Sequence, residues 1–166
     1  MIRILANDGI DPSGQEKLEA AGYEHYEVSN FALPGWRAVH NGNYWRGHAY
    51  LGVGPSAHSF DGARERSWNV AHNARYVRAI ATGQPAVERE RLSDADRYNE
   101  LLLTGLRTSW GVTDAQLERV GFRQNFLRDA APLLGDGLLE RYGDAYRLTR
   151  AGRMRADGLS AGLFVV

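Results

Sequence analysis

Cysteine is absent from this chain of 166 residues. Without a thiol, the chain has no disulfide, no thiolate zinc site, no cysteine nucleophile and no cysteine ligand for an iron–sulfur cluster. Lysine is nearly absent as well, since Lys17 is the one lysine among twenty basic residues. Any chemistry within the chain must therefore use His, Asp, Glu, Tyr, Ser and Asn side chains.

The chain also lacks an excess of charge and a long apolar run. Its twenty basic and twenty acidic residues cancel, which favours neither a polyanionic partner nor a membrane surface. There is no stretch of 18 apolar residues and no basic-then-apolar leader, which predicts a cytoplasmic protein with no transmembrane segment. The hydrophobic content of 43% predicts a globular fold.

The first half of the sequence predicts helices mixed with strands. Asp11 followed by Pro12 is typical of a helix start, and this helix is predicted to end at Gly22. Segment 23–32 is rich in aromatics and is predicted to be one strand, with polar side chains on both faces, as in a strand that opens into a site. A strand that runs into a turn is predicted for AYLGVGPSAHSF (residues 49–60), and a short strand for RSWNV (residues 66–70). A helix is predicted for AHNARYVRAIATG (residues 71–83), and the polar residues 84–91 are predicted to connect two domains.

The second half carries clearer signals. Ser93 with Asp96, and later Thr113 with Gln116, have the spacing of capping boxes at helix starts. In LLERYGDAYRLT, a Gly-Asp turn predicts a hairpin with Tyr142 opposite Ala145, Glu140 opposite Arg147 and Leu139 opposite Leu148. A last helix is predicted from Thr149. The order helix, helix, hairpin, helix is typical of a winged-helix module.

Winged-helix modules often bind DNA, and this possibility can be weighed by charge. The candidate recognition residues are Arg123, Gln124, Asn125 and Arg128. From residue 112 to 166 there are eight arginines and seven acidic residues, a net charge of +1. A DNA reader needs a far stronger basic face, so we expect a packing or docking module with no nucleic-acid partner.

GVGPSA, at residues 52–57, matches the Gly-x-Gly-x-x-Ala pattern of dinucleotide sites. Such a site also needs a helix opening at that point to hold the phosphates, and HSFDGARERSW has no helical apolar period. A glycine turn that lets the backbone approach a neighbour or a bound molecule is therefore the favoured interpretation.

The segment HNGNYW, at residues 40–45, has two interpretations. Asn41-Gly42 is a strong hairpin dipeptide, so His40 could simply flank a turn. Alternatively, the spacing of four residues puts His40 on the same side as Tyr44, where an imidazole beside aromatic rings suits a flat ligand that carries a metal. The residues alone leave both interpretations open.

The residues from Gly22 to Gly62 resemble those of the oxygen-independent coproporphyrinogen III oxidase-like family of radical-SAM proteins, and most of all its haem chaperone branch. YEVSNFA, a following Pro-Gly, HNGNYW and YLGVGPSAHS occur in the family's order, and the resemblance continues through NELLLTGLRTSWGV into the C-terminal module. The family does not require Asn-Gly inside its His-Asn-x-x-Tyr motif, so the hairpin interpretation loses its main support.

The resemblance implies an α+β fold, with a remnant of a (βα) radical-SAM partial barrel in residues 1–83 and a winged-helix-like C-terminal domain in residues 92–166. In full-length members the barrel binds S-adenosylmethionine and a [4Fe–4S] cluster through an upstream cysteine motif. Because this chain has no cysteine, we expect it to bind neither by itself and to perform no radical chemistry. It is interpreted as a C-terminal fragment whose partners include the missing N-terminal barrel half.

The His-Asn-x-x-Tyr motif further implies haem binding. His40 is the expected ligand of haem iron, Asn41 is expected to orient it, and Tyr44 and Trp45 to pack on the porphyrin. His58 is the second choice of ligand.

Other residues receive different expectations. Glu27, Ser29 and Asn30 are expected to face S-adenosylmethionine or substrate in the intact protein. The remaining histidines are expected to be structural or surface residues: His25, His48 and His72.

The predicted function is that of the C-terminal part of a haem chaperone-like radical-SAM protein, which binds haem and hands it to an acceptor protein. The alternative is an oxygen-independent coproporphyrinogen III oxidase, in which this segment would close the substrate site.

Overall fold

The computed structural model describes residues 11–166, which form eight α-helices and eight β-strands. The first ten residues, with the beginning of the predicted first domain, lie outside the described part. The described chain divides into two compact units: the first contains residues 11–46 together with residues 98–166, and the second contains Gly47–Arg97. This division differs from a boundary at residues 84–91, because that segment is not a connector but ends in a strand paired within the second unit.

The N-terminal part of the first unit begins with a helix and a hairpin. Its elements are α1 (Pro12–Ala20), β1 (Glu24–Glu27), β2 (Asn30–Ala32) and α2 (Val39–Trp45). As predicted, Asp11 caps α1, accepting a hydrogen bond from the Ser13 backbone N–H at 2.9 Å. The prediction of one strand over residues 23–32 is wrong, because the chain reverses between β1 and β2, which pair antiparallel. The carboxylate of Glu27 closes this turn by accepting hydrogen bonds from the Ser29 backbone N–H and the Asn30 side chain.

The second unit is built around a three-stranded antiparallel sheet. Its elements are β3 (His58–Phe60), β4 (Glu65–Asn69), α3 (Asn73–Ala81) and β5 (Val87–Arg91), with β4 in the middle of the sheet. The strand β4 and the helix α3 were predicted. The strand predicted to start at residue 49 is wrong: Tyr50 forms only an isolated bridge to Phe60, and the strand begins at His58.

The rest of the first unit is mainly helical. Its elements are α4 (Asp94–Gly105, with Tyr98–Gly105 in this unit), β6 (Val112–Thr113), α5 (Asp114–Val120), α6 (Arg123–Gly135), β7 (Leu139–Tyr142), β8 (Ala145–Leu148), α7 (Arg150–Arg153) and α8 (Ala156–Ala161). Both predicted capping boxes form, and the β7–β8 hairpin has the predicted register. Its cross-strand pair is joined by a 2.7 Å hydrogen bond from Arg147 to Glu140. The short β6 adds a third strand beside β8.

The hydrophobic core of the first unit fills the space between these helices and the β6–β8–β7 sheet. Tyr98 and Leu102 on α4, and Leu106 just after it, follow each other at helical spacing and are buried, whereas Trp110, four residues further on, is half-buried. The ring of Phe126 meets that of Tyr146 edge-on, with 5.0 Å between centroids. The largest fully buried side chains include Tyr98, Leu102, Leu106, Leu117, Phe126, Leu139 and Leu148. Among the described helices, none combines the length and apolarity that crossing a bilayer requires.

Candidate functional site

The HNGNYW segment is helical. It forms most of α2, so the hairpin interpretation of Asn41-Gly42 is wrong. Gly42 is buried inside the helix, and its backbone N–H donates to the carbonyl of Ala38 at 2.9 Å. After the helix, the guanidinium of Arg46 lies 4.5 Å from the ring centroid of Trp110. Tertiary contacts of this kind outweigh the turn preference of the dipeptide.

His40 lies on the exposed side of α2. Its imidazole meets the ring of Tyr44 edge-on, with 4.9 Å between centroids and an interplanar angle of 85°. The structure thereby brings together the two residues that the four-residue spacing placed on one side. Within residues 11–166, neither imidazole nitrogen of His40 makes a hydrogen bond, so the ring offers a nitrogen to a ligand.

The other two residues predicted for this site are placed differently. Successive helical residues project about 100° apart, so Asn41 does not lie beside the ring of His40, and its exposed amide makes no hydrogen bond within the described chain. Trp45 is half-buried, and the guanidinium of Arg107 lies 5.6 Å from its ring centroid. The indole N–H of Trp45 is buried without a hydrogen-bond acceptor in the part of the chain that the structure describes.

Large apolar side chains are exposed on the same segment as His40. Trp36 is 60% exposed and Val39 is 76% exposed, and Leu33 and Tyr44 are each more than a third exposed. We call these four residues with His40 the α2 surface. Contiguous exposed apolar patches mark binding surfaces, and these side chains are exposed within residues 33–44. An available imidazole nitrogen among apolar and aromatic groups fits a porphyrin, whose faces are apolar and whose iron accepts a nitrogen ligand.

Glu27 belongs to the interior of the first unit. Its side chain is 2% exposed, and it accepts hydrogen bonds from Arg107 Nε at 3.2 Å, from the Ser29 backbone N–H at 3.1 Å and from the Asn30 side chain. Ser29 lines a cavity in the first unit. The expectation that these residues face S-adenosylmethionine or substrate stays a prediction; in this chain, Glu27 and Asn30 bond to each other.

The other histidines lie apart from His40 in sequence and have their own surroundings. His25 stacks on Phe31 with 4.1 Å between centroids, and burial lowers its pKa. His58 is exposed on β3, 5.8 Å from the ring of Trp68, and His48 is exposed in a loop. His72 caps α3 by accepting a hydrogen bond from the Arg75 backbone N–H. Throughout residues 11–166, no three His, Asp or Glu side chains gather as a metal-ion site would require.

The pattern at residues 52–57 is a turn, as expected. A Cβ at Gly52 would overlap the backbone of His58, so the glycine permits a close approach of two backbone segments. The following residues enter β3 and not a helix, which removes the phosphate site of a dinucleotide fold. The side chain of Asn69 holds the turn by donating to the carbonyl of Gly54 at 2.9 Å.

Arg107 was not identified from the sequence. Its guanidinium bonds to Glu27 and Asp157 and lies over the ring of Trp45, so it joins the N-terminal hairpin, α8 and α2. Eighty residues separate it from Glu27. No local sequence pattern around Arg107 predicts that it joins these elements, because all its partners are distant in sequence.

The arginines considered for DNA recognition are paired with acids of their own domain. Arg123 bonds to Asp114 at 2.8 Å, and Arg128 bonds to the adjacent Asp129 at 2.7 Å. Charge that is compensated within the protein attracts phosphates weakly.

Comparison with known proteins identifies the family. Residues 92–155 match the HemN C-terminal domain. The haem chaperone HemW of Mycobacterium tuberculosis is 37% identical over 144 residues, which cover 86% of this chain and 35% of that protein. HemW of Bacillus subtilis is 31% identical over 145 residues, covering 83% and 37%. The chain thus spans about a third of the length of these relatives.

A solved structure agrees with these matches. Coproporphyrinogen III oxidase (HemN) from Escherichia coli, a radical-SAM enzyme, superposes with a TM-score of 0.65 at 19% identity. The superposition covers 94% of this chain and 42% of that one, which shows a shared fold. The chain therefore belongs with the HemW and HemN proteins and contains the HemN C-terminal domain.

Proposed function

We propose that this chain is the haem-binding C-terminal part of a HemW-like haem chaperone, with haem as its cargo and a haem-acceptor protein as the recipient. The observation that carries the proposal is the position of His40. It is exposed on α2, no hydrogen bond within the described chain occupies its ring nitrogens, and exposed apolar side chains surround it in sequence. His40 would hold the iron.

The apolar side chains of the α2 surface would also contribute to haem binding. Burying one large apolar side chain against a ligand contributes about 1.5–3 kcal/mol. Trp36 and Val39 are largely exposed and would gain most from such burial. The Tyr44 ring already packs against the imidazole and would restrict its orientation. Asn41 has no part in positioning the imidazole in this proposal.

The relatives favour a chaperone over an oxidase. Those that are more than 30% identical to this chain include proteins named haem chaperone HemW, whereas HemN of Escherichia coli is 19% identical and shares the fold. In an intact protein of this kind, the iron–sulfur cluster would be ligated outside the present residues, since this chain contributes no cysteine.

The finer architecture is part of the proposal. We assign the β1–β2 hairpin, within the predicted barrel remnant of residues 1–83, to the edge of a radical-SAM partial barrel, and residues 92–166 to a winged-helix-like module that docks and does not read DNA. Supporting the second assignment, the helices α5 and α6 directly precede the β7–β8 hairpin, α7 directly follows it, and the short strand β6 joins the hairpin. The internal pairing of Arg123 and Arg128 supports the docking role.

A haem titration tests the function. Haem added to the full chain is expected to give a Soret band with an axial-nitrogen signature, and His40→Ala is expected to abolish that signature. His48→Ala is the matched control, because His48 is also exposed but lies outside α2. An unchanged haem spectrum in His40→Ala would refute the proposal. Loss of the axial-nitrogen signature in His58→Ala, and not in His40→Ala, would show that the iron ligand is His58 on β3.

A further inference from the structure

A second candidate site lies in the first unit, away from the α2 surface. It is a cavity of about 460 Å³ between the β1–β2 hairpin and the α7–α8 segment. This volume lies in the range of small-molecule sites. The residues on which the argument rests are His25, Phe31, Arg107, Arg150, Arg153 and Arg155.

The charge of the lining is strongly positive. Four arginines and one acidic residue, Asp157, line the cavity, a net charge of +3 with His25 neutral. Asp157 is already engaged by Arg107, which also bonds to the buried carboxylate of Glu27. The cation of Arg107 is therefore compensated within the protein.

The other three guanidinium groups are not compensated in this way. Arg150 reaches a carboxylate oxygen of Glu16 only at 3.8 Å. Arg153 donates one hydrogen bond, at 3.1 Å, to the backbone carbonyl of His25. Neither Arg153 nor Arg155 forms an ion pair with any residue between 11 and 166. Of these three, Arg150 and Arg155 are exposed and Arg153 is partly removed from water. A partly buried cation without a carboxylate partner is costly, and an anionic ligand would remove that cost at Arg153.

Arg153 shows the cost of this arrangement. It is half-buried, and burial together with the nearby Arg147 lowers its pKa. Guanidinium groups bind carboxylates and phosphates through two parallel hydrogen bonds, so adjacent unpaired arginines suit a ligand with more than one oxyanion group.

Two stacked rings, those of His25 and Phe31, also line the cavity. The imidazole of His25 stacks on the ring of Phe31, with an interplanar angle of 6° and 4.1 Å between centroids. Its Nε2 lies 3.1 Å from the backbone carbonyl of Val28, and burial lowers its pKa, so His25 adds no charge at neutral pH. The two rings can contact an apolar part of a ligand while the arginines bind its charged part.

We propose that this cavity binds a small organic anion that carries at least two carboxylate or phosphate groups. The site is independent of haem binding by His40, because no residue of the α2 surface lines it.

Calorimetric titration of the full chain with citrate and with pyrophosphate tests the proposal and distinguishes the two kinds of anion. At least one of them is expected to bind, more weakly at high salt. Arg155→Gln is expected to weaken binding at least tenfold, because a charge-assisted hydrogen bond is lost. Arg153→Gln should have a similar effect, and Arg155→Lys should restore part of the affinity.

Arg128→Gln is the matched control, since Arg128 is exposed and paired with Asp129 outside the cavity, and it should bind as the wild type does. Far-UV circular dichroism establishes that each variant is folded. Absence of binding for both anions, or equal weakening by Arg155→Gln and Arg128→Gln, would overturn the proposal. His40→Ala is expected to leave anion binding unchanged, so the haem and anion proposals fail separately.

Discussion

The buried contact between Glu27 and Arg107 gives the sharpest test of how the first unit is held together. Glu27 is 2% exposed, and Arg107 is the one cation that bonds to it in the described chain. Replacing Arg107 by Met keeps much of the side-chain volume but leaves the carboxylate buried without its cation. Breaking a buried pair in this way costs about 3–5 kcal/mol of unfolding free energy.

The second substitution separates charge from packing. Glu27→Gln removes the negative charge and retains one oxygen, which can still accept a hydrogen bond from the Ser29 backbone N–H. In Glu27→Gln/Arg107→Met the uncompensated charge is gone, and the remaining loss is that of one or two hydrogen bonds, about 1–3 kcal/mol. The double variant is therefore expected to be more stable than Arg107→Met by about 2 kcal/mol.

Urea unfolding followed by far-UV circular dichroism measures these differences, and amide exchange in β1 locates them. The control is Arg128→Met, because the side chain of Arg128 is 69% exposed and exposed ion pairs contribute at most about 1 kcal/mol. Equal losses in Arg107→Met and Arg128→Met, or a double variant no more stable than Arg107→Met, would refute the reasoning.

Four further substitutions test other parts of the first unit. Gly111→Ala is expected to lower the free energy of unfolding by about 2–5 kcal/mol, because φ is +67° and a Cβ would overlap the carbonyl oxygen of Tyr146. Gly121→Ala, where φ is +84° and the Cβ would meet open space, should lower it by about 1–2 kcal/mol in the same urea assay. Tyr98→Phe is expected to leave stability at pH 7 unchanged or raise it by about 1 kcal/mol, because the buried hydroxyl has no hydrogen-bond partner in the described residues. Burial also raises the pKa of Tyr98 to about 12. The phenol therefore ionises at a lower pH in the unfolded chain, so the wild type should lose stability between pH 10 and pH 12 and Tyr98→Phe should lose less. Parallel curves of stability against pH for the two proteins would contradict this. Burial lowers the pKa of His25, so stability should fall as the pH drops below 6.5, where the unfolded imidazole takes up a proton first, and thermal melts of His25→Gln should show a smaller fall.

Features controlled by residues a few positions apart could be predicted from the sequence. The box of Thr113 and Gln116 spans three residues, and the β7–β8 register follows from a two-residue turn flanked by complementary pairs. In both cases the interacting groups are close in the chain, so the interactions that stabilise the feature can be recognised from the local sequence.

Features controlled by distant partners could not be predicted in this way. Segment 84–91 looks like a polar connector because β5 is short and largely exposed, and its partner β4 lies some twenty residues earlier. Asn41-Gly42 has the preferences of a turn, yet α2 forms, with Arg46 and Trp45 packed against residues of the C-terminal half. The sequence motif predicted His40 as the ligand, whereas the arginine-lined cavity draws on four separate segments and has no local signature.

The sequence separation of Glu27 and Arg107 has a consequence for synthesis on the ribosome. Chain elongation proceeds at about 5–20 residues per second, so the acid is made about 4–16 s before the base that lies 80 positions later. During that interval the carboxylate stays hydrated, and the nascent hairpin cannot bury it. The β1–β2 hairpin should therefore stay unpacked, and accessible to cellular chaperones, until Arg107 has been synthesised.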